Sequence, residues 1–243
     1  YNPFQNGKLN EVQSQFFKPR TPEALYNIEE DPHETNNLAN DDNYNETLTG
    51  LRNELNNHLI SINDLSFLPE PHLLQNGLDD IVDYSEKNKD LIKSLIEISD
   101  LMLYDYNEVS SQIKDALNND NPWVRYWGLI VSSTFGDLAL ENNEKINFIF
   151  ENDSENLVRM RAAEFMLLNN IEISDSKINS LLVRSNFEAE ANLMLNTLAN
   201  LKTKNSNFKL ELGKEVYPDD WFPPIRNENA LVNRRMNYLT NNE

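Results

Sequence analysis

The sequence predicts a mainly α-helical protein, with a small α+β segment at its start and a stack of helical repeats making up the rest. Three observations predict it. Glycine occurs 6 times and proline 10 times in 243 residues, too few for the many tight turns of a sandwich or barrel. Apolar residues recur at three- and four-residue steps along most of the chain, the spacing of one helix face. A polar loop followed by Val-Arg and small residues occurs at Val124 and returns at Val158, an interval that suits a stacked helical hairpin.

Taken in order, Tyr1-Asn2-Pro3-Phe4-Gln5-Asn6-Gly7 reads as a loop, and Phe16-Phe17-Lys18-Pro19-Arg20-Thr21-Pro22 as an extended stretch. Ala24-Leu25-Tyr26-Asn27-Ile28 alternates apolar and polar residues, which predicts a short strand. Asp31-Pro32-His33-Glu34 predicts a turn. A helix over 42–62 follows, capped by Asp41 or Asp42, with Tyr44, Leu48, Leu51, Leu55, Leu59 and Ile62 on one face. Residues 64–74, with Pro69 and Pro71, read as a break. The expected domains are therefore 1–75 and 76–243.

The second domain reads as consecutive short helices. Leu91, Leu95, Ile98 and Met102 form one stripe, and Val109, Ile113, Ala116 and Leu117 the next. The repeat then appears as Asn121-Pro122-Trp123-Val124-Arg125-Tyr126-Trp127-Gly128 and again as Glu155-Asn156-Leu157-Val158-Arg159-Met160-Arg161-Ala162-Ala163. A fainter copy begins at Asn186, with Ala189 taking the Val position after a slightly shorter interval. One hairpin cannot bury its own apolar face, so neighbours must cover each other. The Arg after each Val is expected to bond the carbonyls of the preceding turn or a neighbouring acid. An irregular all-helical domain is the alternative. Residues 203–226 break the pattern, 217–224 cannot be helical throughout, and a last helix is expected over 229–239.

Charge narrows the partners. There are 40 acidic and 21 basic residues, a formal net charge of −19. So negative a chain repels polyanions, which argues against nucleic acid and against direct gripping of a sulfated polysaccharide. No basic run or apolar span favours a membrane. With no cysteine, disulfides and thiolate chemistry are excluded.

Candidate chemistry is sparse. His33, His58 and His72 lie far apart and form no metal-ligand pair; His58 suits a helix C-terminus, and His33 and His72 read as structural or surface residues. The pairs Asp41-Asp42, Asp79-Asp80 and Asp219-Asp220 match no calcium loop and read as caps and solvated faces. Trp123 and Trp127 read as packing residues. From the residues alone, no catalytic, cofactor-binding or metal-binding residue is assigned.

One run carries more. Residues 22–39, Pro-Glu-Ala-Leu-Tyr-Asn-Ile-Glu-Glu-Asp-Pro-His-Glu-Thr-Asn-Asn-Leu-Ala, resemble the C-terminal signature of the formylglycine-dependent sulfatase family, of the alkaline-phosphatase-like superfamily. In that family P-x-E-L-Y-D-L-x-x-D-P-x-E-x-x-N-L-A ends a small sheet and leads into a helix; Ala24 and Asn27 depart from it. The stretch 64–70 with the following repeats is similar to the tails of bacterial sulfatases that carry HEAT-like repeats, and Asp31-Pro32-His33-Glu34-Thr35 is similar to the heparan N-sulfatase branch.

The resemblance implies that this is the C-terminal part of a sulfuric ester hydrolase acting on sulfated glycans, periplasmic or secreted. It implies that the catalytic formylglycine and calcium belong to an upstream domain. The family's C/S-x-P-x-R does not occur here; Phe17-Lys18-Pro19-Arg20 lacks both nucleophile and spacing. The expected partners are that upstream domain and, through the repeats, a protein or a second copy. A free-standing interaction module, with no enzymatic role, is the other expectation.

Overall fold

A computed structural model describes residues 4, 6–18, 20–185, 187–204, 210–212, 217 and 228–240. The first loop, the start of the faint third repeat and the break over 203–226 fall wholly or partly outside them. The chain forms two compact units, Tyr1–Ile62 and Asn63–Glu243.

In the first unit, helix α1 (Glu11–Gln15) is closed by a reciprocal capping box between Asn10 and Gln13. A 3-10 turn (Asp42–Tyr44), capped by Asp41, leads into α2 (Asn45–Ser61). The expected strand over 24–28 is corrected: no strand occurs among the described residues. The segment is extended, but its one backbone bond across the unit runs from the Leu38 N–H to the Leu25 carbonyl at 2.8 Å. A strand needs a neighbour that continues the ladder, and none is placed beside it.

The second unit has only helical regular elements among its described residues. It contains α3 (Glu70–Asn76), α4 (Ile81–Lys87), α5 (Lys89–Ser99), α6 (Tyr106–Leu117), α7 (Pro122–Phe135), α8 (Asn143–Asn152), α9 (Asn156–Leu168), α10 (Asp175–Leu182), α11 (Glu188–Lys204) and α12 (Glu228–Thr240). Residues 64–74 are not merely a break. They hold a 3-10 turn, Leu65–Phe67, and most of α3, because Pro71 falls in a first helical turn where its missing N–H costs nothing.

Packing is between neighbours. Helices α5, α7, α9, α11 and α12 touch in that order and form one row; α6 lies against α7, and α8 and α10 against α9. Burial shows the repeat directly. On α7 the buried residues are Trp123, Val124, Tyr126, Gly128, Leu129, Val131 and Ser132. On α9 they are Leu157, Val158, Met160, Ala162, Ala163, Phe165 and Met166, each at the offset that carries Val124 to Val158. The third hairpin departs from the expected register. Met194, Leu195, Thr197 and Leu198 follow Ala162, Ala163, Phe165 and Met166 at one common, shorter offset, as Ile178, Leu181 and Leu182 follow Ile146, Ile149 and Phe150. Glu190, not Ala189, thus stands where Val158 stood, which explains why the copy was faint.

The arginines behave as expected. The Arg125 guanidinium donates to both oxygens of Asp153 (2.7 and 3.0 Å) and to the carbonyls of Asn119 and Asp120. Arg159 donates to the Phe150 carbonyl at 2.6 Å. Asn156 donates to Glu190 and accepts from Arg184. These bonds tie each hairpin to the next. The first expected stripe is rotated: Ile92, Leu95 and Ile96 are buried on α5, whereas Met102 lies beyond that helix in a 3-10 turn.

Candidate functional site

The signature run of residues 22–39 folds into a turn held by side chains. The Asp31 carboxylate accepts from the Thr35 N–H (2.7 Å), the Thr35 hydroxyl (3.0 Å) and the Asn36 N–H (2.8 Å). These bonds, that of the Asn36 amide foremost, hold its carboxyl below the usual range. Pro32 and His33 form the corner, and Glu34 takes a left-handed φ of 53° where its N–H reaches the Asp31 carbonyl.

Asn37 does the second half of the work. Its Oδ1 accepts from the Leu25 N–H (2.9 Å) and the Ala39 N–H (3.0 Å). It thereby supplies the extended segment with a bond that a sheet would otherwise give. Arg52 on α2 donates to both oxygens of Glu23, so the helix is clamped to the segment before the turn. Asp, Asn and the carboxylate at these positions are therefore structural. Arg52 lies far along the chain from its partner, and nothing in the sequence pointed to it.

What this unit does not do is bury anything. No described residue of Tyr1–Ile62 is buried. Half of the expected apolar face of α2 is on the surface, with Leu51 50%, Leu55 56% and Ile62 54% exposed, while Tyr44, Leu48 and Leu59 are half-buried; Ile28 and Phe16 are more exposed still. A helix whose apolar stripe is only partly covered gains correspondingly little from burial.

The histidines stay apart, as their spacing implied. His33 and His58 are exposed. His72 is half-buried between α4 and α7, with its ring centroid 4.5 Å from that of Trp123 and its Nε2 2.7 Å from the Tyr84 hydroxyl. Asp41 and Asp80 are caps, on Asn43 and Asp83 amides; Asp219-Asp220 lies outside the described residues. Trp123 is buried in the core, and Trp127 packs against it. Among the described residues no three His, Asp or Glu side chains converge to hold a metal ion. The donor set therefore does not fit a calcium site of the kind the resemblance implies for the upstream domain. Among the same residues, no helix is long and apolar enough to cross a membrane.

No family model matches the chain. Among curated proteins, a 69-residue stretch is 45% identical to the ulvan-active sulfatase of Formosa agariphila, covering 28% of this chain and 12% of that protein. No solved structure matches. The chain thus contains a sulfatase-related stretch and spans only a small part of the relative's length.

Proposed function

We propose that this chain is the C-terminal part of a sulfatase acting on sulfated polysaccharide, with the first unit completing an upstream catalytic domain. The observation that carries the reading is the exposure of Leu51 and Leu55 on α2 and of Ile62 at its end, in the unit whose turn resembles the family signature. Leu51, Leu55 and Ile62 are already about half covered, so docking over the remainder adds roughly half of the 1.5–3 kcal/mol that full burial gives each side chain. The relative is named as ulvan-active, and a sulfated polysaccharide is the corresponding substrate class for the whole protein. The formylglycine and calcium would belong to the catalytic domain, in a periplasmic or secreted enzyme. The second unit, read as HEAT-like repeats, acts as a scaffold or dimer surface; its charge disfavours gripping a polyanion.

The test is to read the coding DNA upstream of Tyr1, express the whole frame and measure sulfate released from ulvan. An in-frame C/S-x-P-x-R, with release abolished when Leu51 and Leu55 are both changed to Asp, supports the reading. A stop codon directly upstream, or full release by the double variant, overturns it. The isolated chain should release no sulfate. A second reading, a free-standing interaction module, is favoured by one observation: the second unit closes its own core. Capture of heparin-like polymer by the isolated chain would contradict both the charge argument and the scaffold role.

A further inference from the structure

The row of helices in the second unit carries a passenger. Residues 65–76 lie over it: Leu68 and Pro71 are buried, and Leu65, Phe67 and Leu73 pack against the core. The Phe67 ring rests 5.5 Å from that of Trp127, whose Nε1–H donates to the Phe67 carbonyl at 2.7 Å. Helix α3, the end of this segment, also touches α11. No ion pair holds the segment down among the described residues.

Its other fastening is His72. Asn76 Nδ2 donates to His72 Nδ1 at 3.2 Å, so Nδ1 is the bare nitrogen and the Nε2–H donates to the Tyr84 hydroxyl. A second proton on Nδ1 would face an amide that also donates, and the cation would be pressed against Trp123 with no counter-charge. Glu70 is the charged group on its own helix and is exposed. On α4, Asp83 is paired with Lys87, and Glu86 with Lys89 and Asn63. On α7, Arg125 is taken by Asp153. On α11 the charged groups are Glu188, Glu190, Lys202 and Lys204, with Lys202 bonded to the Tyr238 carbonyl.

We propose that residues 65–76 form a clasp over the Trp123–Trp127 face, and that protonation of His72 releases it. Burial holds the His72 pKa below its ordinary 6.5. The sign follows: above about pH 6.5 both open and closed forms carry a neutral ring. As pH falls through that value the open form takes the proton first, so closure weakens. Opening bares two tryptophans, an aromatic surface that the closed form hides.

The full chain tests this by following the Trp127 indole N–H in NMR spectra from about pH 8 to about pH 5.5, assigned with Trp127→Phe. The expected result is faster exchange of that proton relative to its intrinsic rate at each pH, with a midpoint matching the His72 ring titration, while α6 to α9 amides keep their protection. In His72→Phe, which keeps a stacked ring, the pH dependence should vanish. In Tyr84→Phe, which leaves the imidazole in place, it should persist with a shifted midpoint. An indole signal that ignores the His72 titration overturns the proposal. So does equal acid response in His72→Phe, or loss of α6 to α9 protection at the same pH.

Discussion

Leu55 and Leu129 are both helical leucines on apolar stripes, yet Leu55 is 56% exposed and Leu129 is fully buried. The difference runs through the two units. Residues 21–52 of the first are organised by polar side chains: Asp31 and Asn37 bond backbone amides, and Glu23 bonds Arg52. The second is organised by burial repeated from hairpin to hairpin. A unit ordered mainly by hydrogen bonds gains only about 1 kcal/mol from each, and Leu51, Leu55 and Ile62 stay exposed. A unit ordered by burial has already used its own. This contrast is what supports our proposal of docking for the first unit and self-sufficient folding for the second.

The widest gap should appear in large-to-small substitutions. Phe165→Ala should lower the stability of the second unit by about 3–5 kcal/mol and Leu129→Ala by about 2–5 kcal/mol. Leu55→Ala should stay within about 0.5 kcal/mol. Urea unfolding followed by circular dichroism measures all three, and a large loss from Leu55→Ala would erase the distinction. Next comes the inter-repeat tie. The Asp153 side chain is 3% exposed beside Arg125, so Arg125→Ala strands a buried carboxylate and should cost about 3 kcal/mol. Arg125→Lys should not restore it, because an ammonium cannot bridge both oxygens.

Tight helix contact gives a third effect. A Cβ on Gly128 would stand 3.0 Å from the Ala116 Cβ, so Gly128→Ala should push α6 and α7 apart at about 1–3 kcal/mol. In the first unit, Asn37→Ala should cost about 1 kcal/mol per lost bond. Hydrogen exchange should quicken at the Leu25 and Ala39 amides and leave α5 to α9 unchanged. The remaining effect is at high pH. Burial, aided by the bond to Glu141, pushes the Tyr106 phenol from 10.0 up to about 12. Its neutral form favours the fold, so stability should fall as pH rises from about 10 to about 12. Tyr106→Phe should flatten that limb of the curve.

Much of this was legible beforehand, and the failures have physical causes. The Val124-to-Val158 period survives as matching buried positions all along α7 and α9, because one helix period fixes both the sequence pattern and the packed face. The third copy was misplaced by a single position because Glu190 stands where a valine is expected, and an apolar template cannot align it. The strand over 24–28 failed because alternation reports the local period but not whether a partner strand exists. Asp31 was legible as the start of a turn; the Asn37 bonds and the Glu23–Arg52 clamp were not, since they depend on where a distant helix falls.

By itself, the sequence determined the helical class, the repeat period, the signature turn and the negative charge. These follow from residue type and spacing alone. The tertiary structure decided which apolar stripes meet a partner. That α7 and α9 close a core, that Leu51 and Leu55 of α2 stay exposed and that residues 65–76 lie over two tryptophans all depend on the placement of elements distant in sequence. An amphipathic stripe states that a face is apolar; only its neighbours decide whether water is excluded from it.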